Sequence, residues 1–252
     1  MELEICCGDL RSVNNVVKGG GTRIEFCSGL SEGGLTPSLG SIIAAAKTGL
    51  KRLNVLIRPR SGDFLYSEDE VKLMCEDIAL ALKAGATGIV IGALTPEGEI
   101  DKEAMKRFMA VVNDFMEKTG KKIYVTFHRA FDVSKDPIKS LEDIISLGCD
   151  SILTSGMASS ASAGTEVLRQ LVEKAQGRIE IIAGAGVNID NVKEIIKETG
   201  VGAVHCSLRE KCRSRMDFHR ETVKMGNSDC DEYECLITSP VAVGEMIKIL
   251  QK

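Results

Sequence analysis

The chain has 252 residues, of which 44% are hydrophobic and 27% charged, with 25 Gly and 5 Pro. This balance excludes a disordered or collagen-like chain and predicts a compact protein with a sizeable core. The net charge is −4, and only 4% of the residues are aromatic, with no Trp. These values disfavour a nucleic-acid partner, because neither a basic surface nor a base-stacking platform is available.

The amino-terminal sequence MELEICC lacks the basic region and apolar run of a signal peptide, and no stretch approaches the roughly 18 apolar residues of a membrane span. We therefore expect a cytoplasmic protein with no membrane partner, and the nucleus stays open as a further compartment. The nine cysteines are an odd and high count. In a reducing compartment they are interpreted as core residues, metal ligands or reactive groups before disulfides.

Eight short β-rich runs alternate with helical patterns along the chain. They span residues 3–6, 23–27, 53–57, 88–91, 122–127, 151–153, 179–183 and 203–205. The alternation predicts parallel strands, and about 31 residues per unit suits an α/β protein with a (β/α)8 TIM-type barrel, in one domain over residues 1–252. An open doubly wound sheet is the alternative, but Cys6-Cys7-Gly8-Asp9 is not its Gly-rich phosphate turn.

The clearest helical stretch opens with Ser67 and Glu70 in the spacing of a capping box. Glycines then follow several helices where a left-handed cap is expected: Gly85, Gly120, Gly148 and Gly200. The polar stretch 208–240 before the last helix breaks the rhythm. It is either a surface insertion or a lid over the mouth at the carboxyl ends of the strands.

Polar side chains recur on one face of several predicted strands. Residues two apart share a face, so Arg23, Glu25 and Cys27 should point into the barrel while Ile24 and Phe26 meet the helices. The same reasoning gathers further residues at the lumen or at strand ends: Glu4, Cys6, Arg58, Tyr124, Thr126, His128, His205 and Ser207. Buried ionisable groups are costly unless paired or solvated. They either line a site or, for Glu4, Arg23, Glu25 and Arg58, form a buried structural ion network.

Cys6 and Cys27 should be neighbours, because they lie on adjacent strands and face the same way. Two thiolates suit Cu(I), which makes this pair a candidate metal site. Packing as small buried hydrophobic residues is the alternative. Cys7 should point outward. Further along the chain, the spacing of five residues is not that of a zinc site: Cys206, Cys212, His219, Cys230 and Cys235.

Four long motifs resemble the signatures of the CutC copper-homeostasis family. They are Glu25 to Ser38, Ile57 to Phe64, Thr126 to Asp132 and Leu153 to Gly156, in the family's order. The Ser28 to Gly34 form is more similar to the eukaryotic members. The resemblance implies a (β/α)8-type barrel, a cytoplasmic homo-oligomer (dimer or tetramer), a link to copper, and Cu(I) ligation by cysteines at the positions of Cys6 and Cys27.

Two functions stay open at this point. The first is Cu(I) binding for storage or transfer, with no organic cofactor. The second is an enzyme, a lyase, isomerase or hydrolase, acting on a small anionic or phosphorylated substrate, which accounts for the arginines that copper does not need. In it His128 is the acid or base with Glu25 or Asp132, and the anion is bound by Arg58, Arg60, Arg129, Thr154, Ser155, Gly184, Gly186, His205 and Ser207. An interaction module is a third, weaker class.

Overall fold

The computed structural model describes residues 1–220, 222–223 and 231–251 and contains the predicted TIM barrel. Eight parallel strands close in chain order, β1 pairing with both β2 and β8. The barrel strands are β1 (Glu2–Cys7), β2 (Arg23–Phe26), β3 (Arg52–Leu56), β4 (Gly88–Ile91), β5 (Tyr124–Phe127), β6 (Ser151–Thr154), β7 (Glu180–Ala183) and β8 (Ala203–Cys206). Each predicted run falls on its strand to within two residues.

Helices cover the outside of the barrel. They are α1 (Leu10–Lys18), α2 (Leu39–Ala46), α3 (Glu68–Lys83), α4 (Lys102–Thr119), α5 (Pro137–Ser146), α6 (Thr165–Ala175), α7 (Val192–Thr199) and α8 (Pro240–Leu250). The capping box at the start of α3 is formed as predicted, with the Ser67 side chain accepting from the Glu70 N–H. Gly120 and Gly200 cap α4 and α7 in the left-handed conformation.

Side chains along the strands point alternately to the helices outside the barrel and into the barrel lumen, and they form two separate clusters. Ile5, Cys7, Ile24 and Phe26 belong to the large core between the strands and the helices. The other face of the same strands carries residues of the barrel lumen, where Cys6 and Cys27 pack with Leu56 and Val90 in a smaller cluster. The predicted faces of β1 and β2, including the outward direction of Cys7, are therefore confirmed.

The stretch 208–240 contains an antiparallel hairpin that the sequence did not predict. Its strands are β9 (Arg209–Arg213) and β10 (Glu234–Thr238). β10 is attached to α1, since Asn15 donates to the Thr238 carbonyl and the Thr238 N–H donates to Ser12 Oγ. Residues 221 and 224–230, including Cys230, lie outside the described residues.

None of the helices in the described part of the chain combines the length and the apolarity needed to cross a membrane.

Candidate metal and ligand site

A cavity of about 330 Å³ opens at the carboxyl ends of the barrel strands. Its wall is formed by the ends of β1, β2, β3, β6 and β8 and by the loops that follow β2, β3, β5, β7 and β8. Polar and charged residues of this wall are Cys6, Glu25, Cys27, Arg58, His128, Arg129, His205, Cys206, Ser207 and Arg209. The position is the one at which barrels of this type carry their functional residues.

A buried ion network lies beneath the cavity. The Glu4 carboxylate accepts from Arg23 Nε at 2.8 Å, from Asn54 Nδ2 at 2.6 Å and pairs with His205 Nδ1 at 2.9 Å. Arg23 also reaches Glu180 at 3.0 Å. Burial opposes the ionisation of Glu4, but the His205 hydrogen bond and the Arg23 charge outweigh it and lower the Glu4 pKa to about 2. Glu4 is therefore a charged anchor at neutral pH.

His205 lies between two carboxylates, because its Nε2 is 3.7 Å from Glu25 Oε2 on the side away from Glu4. Burial alone would lower the pKa of His205. Hydrogen bonding to Cys6, the charge of Glu25 and hydrogen bonding to Glu4 outweigh that effect and raise this pKa well above its ordinary value. For Glu25 burial has the larger effect and raises the pKa, although His205 opposes it. The raised pKa favours the protonated form of His205, whose Nδ1 is bound to Glu4.

The predicted pair of thiols is brought together at the edge of this network. Cys6 Sγ lies 3.8 Å from Cys27 Sγ and 3.5 Å from Glu25 Oε2, and the three ligand atoms lie within 4.8 Å of one another. The two cysteines are 8% and 1% exposed. The hydrogen bond with Cys27, burial and the nearby Glu25 raise the pKa of Cys6 well above its ordinary value. Cys6 is therefore a thiol at neutral pH in the metal-free protein.

Two glycines make room for this arrangement. A Cβ at Gly88 would lie 2.0 Å from the Asn54 amide oxygen, so only glycine lets Asn54 reach Glu4. A Cβ at Gly92 would lie 2.6 Å from the His128 ring. Real Cβ contacts of this length do not occur, and a larger residue at either position would displace a side chain of the site.

His128 is buried at the end of β5 and keeps one polar atom unused. Its Nδ1 accepts from the Ala130 N–H at 3.2 Å, while its Nε2 has no hydrogen-bond partner among the described residues. Burial, together with the charge of Arg58, lowers its pKa to about 3. With this pKa the His128 ring is neutral near pH 7, and its role as an acid or base stays a prediction. His128 is a neutral donor through Nε2.

The two predicted clamp arginines have different surroundings. Arg58 lines the cavity and donates to the backbone carbonyls of Glu32, Gly34 and Gly62. It does not join the Glu4 network, contrary to the structural interpretation made from sequence. Arg60 lies outside the cavity wall and is held by Glu70.

Several other predicted site residues form a second, separate cluster. Asp132 pairs with Arg129 and accepts from the Thr154 hydroxyl and the Ser155 N–H. These contacts tie the loop after β6 to the loop after β5. Arg129 reaches the cavity wall, whereas Asp132, Thr154, Ser155 and Gly184 do not. These four residues lie outside the cavity wall, and their predicted roles as catalytic or anion-binding residues stay predictions.

The sequence of this chain is similar to that of a known protein family. The profile of the CutC family matches residues 1–210. The chain belongs to the CutC family. The family protein CutC of Vibrio campbellii is 46% identical over 249 residues, which cover 99% of this chain and 98% of that protein. The corresponding protein of Bacteroides fragilis is 45% identical over 247 residues, covering 97% and 95%.

A solved CutC structure has the same fold. The CutC protein of Streptococcus agalactiae, which is assigned to copper homeostasis, is 33% identical, with a TM-score of 0.76 over 82% of this chain and 98% of that one. The resemblance inferred from the four motifs is therefore confirmed at the level of the family. The special similarity to eukaryotic CutC members stays a prediction.

Sequence reasoning missed three residues of the site. Asn54 and Glu180 complete the ion network, and Arg209 joins the cavity wall from β9. Alternation in β3 does place Asn54 on the lumen face, so its position in the site could have been predicted from the sequence. Glu180 has a similar signal at the start of β7, whereas Arg209 lies in a stretch with no recognisable strand pattern.

Proposed function

We propose that this CutC protein binds Cu(I) as its cargo through the Cys6 and Cys27 thiolates, with Glu25 beside them, and serves copper storage or transfer. The observation that carries the proposal is the 3.8 Å separation of the two sulfurs in a shielded cavity wall. A disulfide has its sulfurs about 2.05 Å apart, so these are two free thiols. Their common lumen face lets both coordinate one ion.

The donor set favours a soft ion over zinc. Thiolates bind both Cu(I) and zinc, but a structural zinc site takes four ligands in a tetrahedron. Within the described residues, Cys6, Glu25 and Cys27 are the one group of three or more ligand-type side chains close enough to share an ion. The nearest imidazole, His205, is committed to Glu4 and Glu25. Two sulfurs and one carboxylate therefore fit Cu(I) better than Zn²⁺.

Loading is coupled to proton release. The metal ligand is the thiolate, but the raised pKa of Cys6 keeps its proton in place until the ion arrives. Glu25 Oε2, 3.5 Å from Cys6 Sγ and in the cavity wall, is placed to take this proton from the thiol and pass it on to solvent. A thiol that is hard to ionise also favours release of the ion to a stronger acceptor, which suits transfer.

The affinity for Cu(I) is expected to rise at least tenfold for each pH unit between pH 6 and pH 8. Cys6 is protonated throughout this window in the metal-free protein, so binding releases at least one proton per ion. The measurement is an anaerobic titration against a chromophoric Cu(I) chelator at three pH values, corrected for the chelator's own protonation. A Cys75→Ser variant, changed on α3 away from the cavity, should behave like the wild type. Absence of Cu(I) binding, or an affinity independent of pH, would contradict the proposal.

We propose the cytoplasm as the compartment, because reduced thiols persist there. We also propose a homo-oligomer, a dimer or tetramer as in the family that the motifs resemble. Support comes from apolar side chains exposed on the neighbouring helices α2 and α3: Leu39, Ile43, Leu73 and Leu80. Such groups on adjacent helices are typical of a contact surface.

A further inference from the structure

The cavity wall across from the thiols carries hydrogen-bond donors. A Cu(I) ion cannot accept hydrogen bonds, so these donors have no role in binding it. We propose that the same cavity binds a small phosphate monoester, with its phosphate at the loops after β7 and β8 and its carbon skeleton between these loops and His128. This site is separate from the thiol pair in its chemistry and does not require metal. It rests on a buried unpartnered donor, free backbone N–H groups and an uncompensated positive charge.

The buried donor is His128. Only 4% of its surface is exposed, and it lines the cavity. Because Nδ1 accepts from the Ala130 N–H, the ring proton of the neutral imidazole lies on Nε2, which has no partner in the described part of the chain. A buried donor without an acceptor is unfavourable, so an oxygen of a bound molecule is the partner that the geometry lacks.

The loop after β7 supplies the backbone donors. Ala185 and Gly186 both have left-handed backbones, with φ of 72° and 75°, and both line the cavity with Val187. Ala161 donates to the Ala185 carbonyl at 2.9 Å and holds the loop in place. Among the described residues, no acceptor is bound to the N–H groups of Ala185, Gly186 and Val187. Successive free N–H groups in such a turn form an anion-binding concavity, and the loops after strands seven and eight are where barrels bind phosphate.

The charge of the cavity wall favours an anion. Arg58 is buried and donates only to backbone carbonyls, and no carboxylate lies within ion-pair distance of it in the described chain. Arg209 at the mouth contacts Ser207 Oγ at 3.3 Å and leaves most of its donors available. The other charged groups of the wall are compensated, Arg129 by Asp132, and His205 by Glu4 and Glu25. The uncompensated charge is therefore positive and attracts an anionic ligand.

The size and lining of the cavity limit the ligand. A volume of about 330 Å³ is at the lower end of ligand sites and suits a skeleton of a few carbon atoms. Leu30, Phe64, Leu153 and Val187 provide apolar surface for that skeleton. Inorganic phosphate would use the loops and leave His128 Nε2 without an acceptor. An ester with a hydroxyl or carbonyl oxygen along its skeleton satisfies both ends of the cavity.

The test is calorimetric titration of the metal-free protein with glycerol 3-phosphate, inorganic phosphate and glycerol. We expect glycerol 3-phosphate to bind at least tenfold more tightly than inorganic phosphate, and glycerol not to bind. His128→Asn keeps an acceptor for the Ala130 N–H and withdraws the Nε2 donor, so binding should weaken about tenfold. Arg209→Met should weaken it similarly, while Arg213→Met, which removes the same charge further along β9, should leave it unchanged.

Equal binding of glycerol 3-phosphate by wild type, His128→Asn and Arg209→Met would overturn the proposal, as would the absence of binding at millimolar concentration. Binding of inorganic phosphate as tight as that of the ester would overturn the assignment to a monoester. Urea unfolding shows whether the His128→Asn variant is folded. If it is not, the proposal is tested by comparing the binding of glycerol 3-phosphate by Arg209→Met and Arg213→Met. Since no metal is present, the result is independent of Cu(I) binding.

Discussion

Replacing Glu4 with Gln is expected to lower the free energy of unfolding by about 3–5 kcal/mol at pH 7, the range measured when one partner of a buried ion pair is removed. The Glu4 carboxylate is 1% exposed and compensates both Arg23 and His205. The amide of Gln carries no charge. Its NH2 group would also face a hydrogen-bond donor, either His205 or the pair Arg23 and Asn54. Arg23 would keep only the half-exposed Glu180, and His205 only Glu25 at 3.7 Å.

The measurement is urea unfolding at pH 7 of wild type, Glu4→Gln and the matched control Glu2→Gln. Glu2 lies on the same strand and is exposed, so its substitution should change stability by less than about 0.5 kcal/mol. The His205 resonances followed by NMR provide a second readout, because loss of the Glu4 carboxylate should lower the pKa of His205. A Glu4→Gln variant as stable as Glu2→Gln would show that the network contributes little to the fold.

The double substitution Cys6→Ser, Cys27→Ser is expected to weaken Cu(I) binding by more than about 100-fold. Substituting residues that only hydrogen-bond to the metal ligands typically weakens metal binding 10–100-fold. Here both sulfur ligands themselves are removed. Serine keeps the size and the hydrogen-bonding capacity of each position but is a poor ligand for a soft ion. Each single variant should lose most of the affinity for Cu(I) as well, because the ion is then bound by one thiolate and has no second sulfur ligand.

The effect is measured by anaerobic competition with a Cu(I) chelator at pH 7. Cys75→Ser and Cys149→Ser remove thiols elsewhere in the fold and serve as controls for the total cysteine count. Cys149 is buried near α5, and Cys75 is half-buried on α3. If these controls lost as much affinity as the double variant, Cu(I) would be held by other thiols and the site at the barrel mouth would be wrong.

The barrel and the direction of its side chains could be predicted because both depend on short periods. Alternation in β1 and β2 placed Cys6 and Cys27 on one face. The register, which pairs Cys6 with Glu25, does not follow from alternation or from parallel pairing alone. The separation of 3.8 Å between the sulfurs could not be predicted, since it depends on side-chain torsions. Sequence reasoning thus identified the pair but not its geometry.

Partners of the long polar side chains were the least predictable. Arg58 and Arg60 are two residues apart, yet one donates to loop carbonyls and the other pairs with Glu70. Loop carbonyls have no sequence period that could indicate this choice. The β9 strand was missed for a related reason: its residues, REKCR, are polar on both faces and show no alternation. His128 was assigned an ordinary pKa because the extent of its burial is a tertiary property.

X-ray absorption at the copper edge on the Cu(I)-loaded protein shows whether Cys6 and Cys27 hold one Cu(I) ion. We expect one copper per chain with two sulfur atoms in the first coordination shell, and loss of that shell in the Cys6→Ser, Cys27→Ser variant. A first shell of nitrogen and oxygen alone in the wild type, or a sulfur shell that persists in the double variant, would contradict it.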